Sequence, residues 1–119
     1  MEMKNSEFRK LLAQTLKKYN CYYGNNVGQF NDHDYKINYQ IVSSTLIENV
    51  RTYILDIDIY CKSTSKIDDI TDEIESIFNY KSKKLNNWAT FLLDIRFNKD
   101  EKDMYRRTLS YTVKTYKED

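Results

Sequence analysis

Arg51-Thr-Tyr-Ile-Leu-Asp-Ile-Asp-Ile-Tyr-Cys-Lys62 is the stretch that decides the fold. Its odd positions, Tyr53, Leu55, Ile57, Ile59 and Cys61, are apolar, and its even positions include Thr52, Asp56 and Asp58. Successive side chains of a strand point to opposite faces, so the alternation predicts a strand over 51–61 with one buried face. Ser63-Thr-Ser65 then offers side-chain oxygens to cap a helix, and Asp68, Asp69, Asp72 and Glu73 load its positive end. Ile67, Ile70, Ile74, Ile77 and Phe78 recur at steps of three and four, the buried stripe of that helix. Lys81, Lys83 and Lys84 gather beyond its carboxyl end with the charge sign the dipole favours.

On the amino-terminal side, Tyr35, Ile37, Tyr39 and Ile41 alternate with Lys36, Asn38 and Gln40, predicting a strand to about Ser43. A turn-containing link over 43–50 returns the chain as a hairpin. Residues 5–20 read as a helix: Phe8, Leu11, Leu12, Thr15, Leu16 and Tyr19 share one stripe, Asn5 or Ser6 can cap its start, and lysines occupy its last turn. Residues 20–34 hold both glycines and no sustained periodicity, a loop of about fifteen residues where connections of about 4–6 are usual. It is either a functional segment or a floppy connector. On the carboxyl side, Ala89, Phe91, Leu93, Ile95 and Phe97 predict a third strand, with Thr90, Asp94 and Arg96 opposite. A charged turn over 98–103 leads to a fourth strand marked by Tyr105, Leu109, Tyr111 and Val113, ending near Tyr116. The short link makes the last two strands antiparallel.

The expected architecture is therefore α-β-β-α-β-β, an α+β two-layer sandwich with two helices on one face of a four-stranded, mainly antiparallel sheet. At 119 residues the chain suits one domain spanning 1–119. No apolar run has the length of a membrane span or a signal peptide. Cys21 and Cys61 fit no metal or redox spacing and read as reduced thiols of a cytosolic product. The net charge of +1 gives no general pull toward nucleic acid, but charge is blocked: +3 over residues 1–20, −3 over 62–80 and +3 over 81–98. Such blocks orient partners or copies, or are simply solvated helix faces. The lack of proline and the abundance of Asn, Lys, Ile and Tyr read as coding from an AT-rich genome.

The outer sheet face is expected to carry Ile54, Asp56, Asp58 and Tyr60, then Leu92, Asp94 and Arg96, then Arg106, Thr108, Ser110, Thr112, Lys114 and Tyr116. It is too polar for a second core and suits a partly polar subunit interface, against the plainer reading of a solvated sheet. The contact candidates are Asp56, Asp58, Tyr60, Arg96 and Arg106 on this face, with Tyr23, Asn25, Asn26, Gln29 and Phe30 in the loop.

No catalytic constellation can be assembled. His33 lies within Asp-His-Asp, and three adjacent residues cannot all reach one ion from a regular element. Asp56 and Asp58 share a strand face, as acid–base pairs do, but Arg96 and lysines of this or a neighbouring subunit are their nearer explanation. Gly24 and Gly28 precede no Lys-Ser/Thr pair, and Cys21 with His33 lacks an orienting third group. Lys81, Lys83 and Lys84 with Trp88, or Arg106 and Arg107 with Tyr105, mix base and aromatic as a strand-binding surface does, yet nearby acids dilute both. No catalytic, cofactor-binding or metal-binding residue is assigned.

Four segments in this order resemble the tail terminator (tail completion, head–tail joining) proteins of long-tailed bacteriophages and prophages. They are the amino-terminal helix with its irregular loop and the strand Tyr35-Lys-Ile-Asn-Tyr-Gln-Ile-Val-Ser-Ser44; Asp56-Ile-Asp-Ile-Tyr-Cys-Lys-Ser63, a strand running into a Lys-Ser turn; the helix from Ile67 to Phe78; and the final hairpin with Tyr105-Arg-Arg-Thr-Leu-Ser-Tyr-Thr-Val113. Asp34 stands where the family usually has proline. The resemblance implies a structural, non-enzymatic protein that closes into a hexameric ring on the tail tube, stops its growth and docks the filled head. Its partners would be further copies of itself, the major tail-tube protein and the head–tail connector. DNA would pass through the ring without sequence-specific binding, and no cofactor or membrane would be involved. The site would be the host cytoplasm during assembly and then the virion's head–tail junction. The family has no invariant motif, so no residue role is carried over. A head-side connector or neck subunit, and a small cytosolic peptide- or nucleic-acid-binding module, are the alternatives.

Overall fold

The computed structural model describes residues 4–78, 88–99 and 104–115. It is an α+β arrangement of two helices and a five-stranded mixed sheet: α1 (Asn5–Thr15), β1 (Cys21–Tyr23), β2 (Tyr35–Ile47), β3 (Val50–Cys61), α2 (Thr64–Phe78), β4 (Trp88–Lys99) and β5 (Tyr105–Thr115). The sheet order is β1-β2-β3-β5-β4, antiparallel except for β1 against β2. The four expected strands are present in the expected sequence, and the expected count of four is corrected to five.

The added strand explains the long loop. Cys21–Tyr23 pairs with Ile37–Tyr39 in parallel, and a parallel neighbour cannot be reached by a tight turn; about a dozen residues must carry the chain back. The eleven residues between Tyr23 and Tyr35 make that return without a helix. Asn20 pins the return, its Nδ2 lying 2.9–3.0 Å from the carbonyl oxygens of Gln29, Phe30 and Tyr35, while Ile37 N–H donates to the Asn20 carbonyl. Gly28 adopts a φ of +78°, and a Cβ there would fall inside the Tyr22 ring, so only glycine passes.

The core lies between the sheet and both helices. Odd residues of β3, from Tyr53 to Cys61, meet Phe8, Leu12 and Leu16 on one side and Ile67, Ile70, Ile74 and Phe78 on the other. Phe8 stacks on Tyr53 with ring centroids 3.9 Å apart, and Phe78 tilts against Tyr111 at 5.2 Å. Each such side chain withdrawn from water contributes about 1.5–3 kcal/mol, which is why the 51–61 alternation governs the layer arrangement.

Several local expectations change. α1 ends at Thr15, short of residue 20, with the Thr15 hydroxyl bonded to the Leu11 carbonyl. Asn5 does not cap it. Its Oδ1 accepts from the Tyr53 hydroxyl at 3.0 Å and the Ser44 hydroxyl at 3.1 Å, tying α1 to the hairpin. Lys17 and Lys18 fall beyond the last helical turn. Ser63 does sit at the start of α2, its hydroxyl 3.4 Å from Lys66 N, and the acids begin in the second turn. The 43–50 link is mostly strand: β2 runs to Ile47, and Glu48 and Asn49, both with positive φ, make a two-residue hairpin turn. Lys81, Lys83, Lys84, the 100–103 part of the charged turn and Tyr116 lie outside the described residues.

The largest correction is in β4. Its register slips between Leu92 and Asp94, so that Thr90 and Leu92 pair with Val113 and Tyr111 while Ile95 pairs with Leu109. A bulge of one residue reverses the face of everything before it. Thr90, expected outside, is buried on the helix side and bonds the Phe78 carbonyl. Leu92, also expected outside, shares the Tyr111 side, and Ala89 and Phe91 pair with outer-face positions Lys114 and Thr112. Leu93 and Phe97, expected in the core, are exposed.

Candidate functional site: the outer sheet face and its margins

Alternate residues of β2, β3 and β5 form cross-strand rows on the face away from the helices. One row runs Asn38–Asp58–Thr108 and continues to Arg96 of β4. Three donors converge on Asp58 Oδ1: the Thr108 hydroxyl, Arg106 Nη2 at 3.2 Å and Arg106 Nε at 3.3 Å. Asp58 is 6% exposed, Thr108 3% and Asn38 1%. The next row places Gln40, Asp56, Ser110 and Asp94 together, with the Ser110 hydroxyl donating to Asp56 at 2.6 Å. Arg96 spans it, 4.0 Å from Asp56 and 3.9 Å from Asp94.

On the other side, Lys36, Tyr60 and Arg106 form a row in which both cations face the Tyr60 ring, at 5.0 and 5.5 Å from its centroid. Long side chains thus cover short ones, and the Val27 carbonyl of the loop accepts from Asn38 Nδ2 at 2.8 Å. On this face Asp56 and Asp58 are paired within their own chain, while the buried Oδ1 of Asn38 has no hydrogen-bond partner among the described residues.

Five of the ten contact candidates, Asp56, Asp58, Tyr60, Arg96 and Arg106, are brought together here. Asn25, Asn26 and Gln29 lie exposed in the return loop, with Asn26 at φ +54°, and Lys62 Nζ stands 5.2 Å from the Phe30 ring centroid. Tyr23 belongs elsewhere: on the helix side it lies edge-on to Tyr39 at 5.4 Å, under the Arg9 guanidinium at 3.9 Å. With Ser6, Arg9, Lys10, Ala13 and Tyr39 it lines an open groove of about 340 Å³. Burial pushes the nearby Cys21 thiol and Tyr39 phenol up from their ordinary pKa values, and Cys21 Sγ donates to the Leu16 carbonyl at 3.2 Å.

Reading the sequence placed Thr108 and Ser110 on the outer face without singling them out, and gave Asn20 and Asn38 no role. A polar residue on an outward strand position carries no signal that distinguishes burial under a neighbour from exposure to water. Among the described residues, no group of three or more His, Cys, Asp and Glu side chains is placed to hold a metal, and no helix is long and apolar enough to cross a membrane.

Among the described residues, six of the seven exposed large apolar side chains lie on two strands, and the seventh, Val27, lies in the return loop. Val42, Leu46 and Ile47, 53%, 44% and 65% exposed, lie on β2, while Leu92, Leu93 and Phe97, 41%, 57% and 69% exposed, lie on β4 at the opposite margin of the sheet. No protein-family model matches this chain, and no curated protein matches it significantly.

Proposed function

We propose that the protein is a structural subunit that closes into a ring, a tail terminator of a long-tailed phage or prophage that caps the tail tube and docks the head. The observation that carries the reading is the division of exposed apolar side chains between two opposite margins of one sheet. A ring subunit must touch a neighbour on each side through two different surfaces, and apolar side chains are what such surfaces bury. The internally paired polar face supports the same reading, because its carboxylates are engaged by Arg106, Thr108, Ser110 and Arg96 and need no substrate to neutralise them. The order of elements that resembles tail terminators supplies the particular assembly.

The test is tube growth. Purified tail-tube protein polymerised with this chain should stop at a limited length and show a ring at one end by electron microscopy. Tubes of unchanged length would overturn the terminator role, and binding to connector rings in place of tubes would favour the head-side subunit.

A further inference from the structure

The two margins match each other at the level of backbone. β1 covers β2 only over Ile37–Tyr39, and the Tyr23 hydroxyl takes the Ile41 N–H at 3.2 Å. Beyond that point, among the described residues, the edge of β2 from Val42 to Ile47 is open. The other margin of the sheet is β4. Long open edges are normally guarded by lysine, proline or an inward-facing charge. Here Val42-Ser-Ser-Thr-Leu-Ile47 and Trp88-Ala-Thr-Phe-Leu-Leu93 carry none of these. Bulges, a further guard, stand only at one end of each, at Ile41/Ser43 and at Leu92/Asp94, and the pairing of Ser43–Ile47 and of Trp88–Leu92 is regular. The charged residues of β4, Asp94, Arg96 and Lys99, all fall in its other half.

The unguarded halves stand at the same height in the sheet. Following the registers across the strands, Leu46 is level with Arg51, Thr115 and Trp88, and Ser44 with Tyr53, Val113 and Thr90. The charged half of β4 is level with the part of β2 that β1 already covers. Antiparallel pairing alternates which residues turn their N–H and C=O groups toward a given side. Counted from the closing pair Ile47–Val50 of the hairpin, Ser44 and Leu46 turn theirs outward from β2. The same parity carried through β3 and β5 makes Trp88, Thr90 and Leu92 do so from β4. Strand directions also agree. β2 and β5 run one way, β3 and β4 the other, so a copy placed beside the first without inversion sets its β2 antiparallel to β4.

We infer that a second copy of this chain adds the Val42–Ile47 edge of its β2 to the Trp88–Leu92 edge of β4, so that successive copies join head to tail into one continuous sheet. This rests on the ring-forming reading and deepens it by naming the contact. A level addition places Ser44 opposite Thr90 and Leu46 opposite Trp88 with no slip along the strands, so the repeat has no axial rise and closes as a ring where the rotation between successive copies divides a full turn. Val42 then comes beside Leu92, two of the apolar side chains that the margins leave in water, while Leu46 falls opposite the start of β4.

The experiment uses two edge-blocked variants. Leu46→Pro removes an outward N–H from β2, and Leu92→Pro removes one from β4; proline is tolerated in a strand where its missing N–H faces away from the sheet. Leu46→Lys and Leu92→Lys serve where circular dichroism shows a proline variant unfolded. By native mass spectrometry the unaltered chain should form closed oligomers, and each variant alone should lose every species above monomer. Mixed together, the two variants should give a one-to-one dimer and nothing larger, because one intact β4 and one intact β2 remain. Variants that assemble like the unaltered chain overturn the inference. So does a homodimer of either variant, which would mean a self-complementary contact, and so does an unaltered chain that stays monomeric at every concentration. The capping assay separates this from the function: unaltered chain that caps tubes while edge-blocked variants cap equally well sinks the pairing alone, whereas head-to-tail oligomers that leave tubes uncapped sink the terminator role alone.

Discussion

Asp58 shows how a residue that looks like a surface contact becomes part of the structure. Its carboxylate is buried between Arg106 and Thr108, so deleting it strands a guanidinium that is itself only about a third exposed. Asp58→Ala should therefore cost about 2–4 kcal/mol in urea unfolding, and Arg106→Ala in the same background should add little. Full additivity of the two would mean that they do not act as a pair. Tyr111 presents the opposite case. Its hydroxyl is buried with no hydrogen-bond partner among the described residues, so Tyr111→Phe should be neutral or stabilising by up to about 1 kcal/mol at neutral pH. Burial also raises the Tyr111 phenol above its ordinary pKa. The unfolded chain then loses that proton first as pH rises past about 10, and stability falls from there upward. Unfolding followed into the alkaline range should show a shallower decline for Tyr111→Phe than for the unaltered chain. Neither environment was legible in the sequence, since alternation assigns a face but not what lies over it.

Elements marked by repetition were legible, and those marked by a single irregularity were not. β3 and α2 follow from the 51–78 pattern almost residue for residue, because each apolar position of the two periodic stripes, Tyr53 to Cys61 and Ile67 to Phe78, has a place in the core or against it. β1 has three residues and no periodicity to detect, and the β4 bulge inverts the faces before it, so that Ile95 packs against the core as expected while Thr90 is buried in place of its neighbours, and Phe97 stays exposed near the strand's end. The hairpin turn was hidden for a different reason: Glu48 and Asn49 occupy φ values of +50° and +65°, and glutamate is a poor residue for that conformation. Glu48→Asn with Asn49→Gly should relieve this and raise the unfolding midpoint, by about 0.5–1 kcal/mol of stability. A loss of stability would mean that the Glu48 side chain makes a contact worth more than the backbone strain.

At the scale of the whole molecule, the two apolar margins predict how assembly responds to salt. Uncharged edges pair through backbone bonds and apolar contact, so raising salt from about 0.1 M to about 1 M should leave the oligomer distribution in sedimentation unchanged. Dissociation at high salt would instead make the charge blocks of residues 1–20 and 62–80 the contact surfaces. The expectation from sequence is that copies meet through the polar face of the sheet. The structure pairs the carboxylates of that face within the chain and, among the described residues, leaves the margins open, a distinction that depends on sheet order and that no single strand encodes. That order also shapes biogenesis. β5, made after every other described strand, is inserted between β3 and β4. Until residues 105–115 leave the ribosome, the nascent polypeptide holds a β2–β3 hairpin and a separate β4 with nothing to join them. A messenger truncated before codon 105 would yield an open half-sheet for proteases and chaperones to clear.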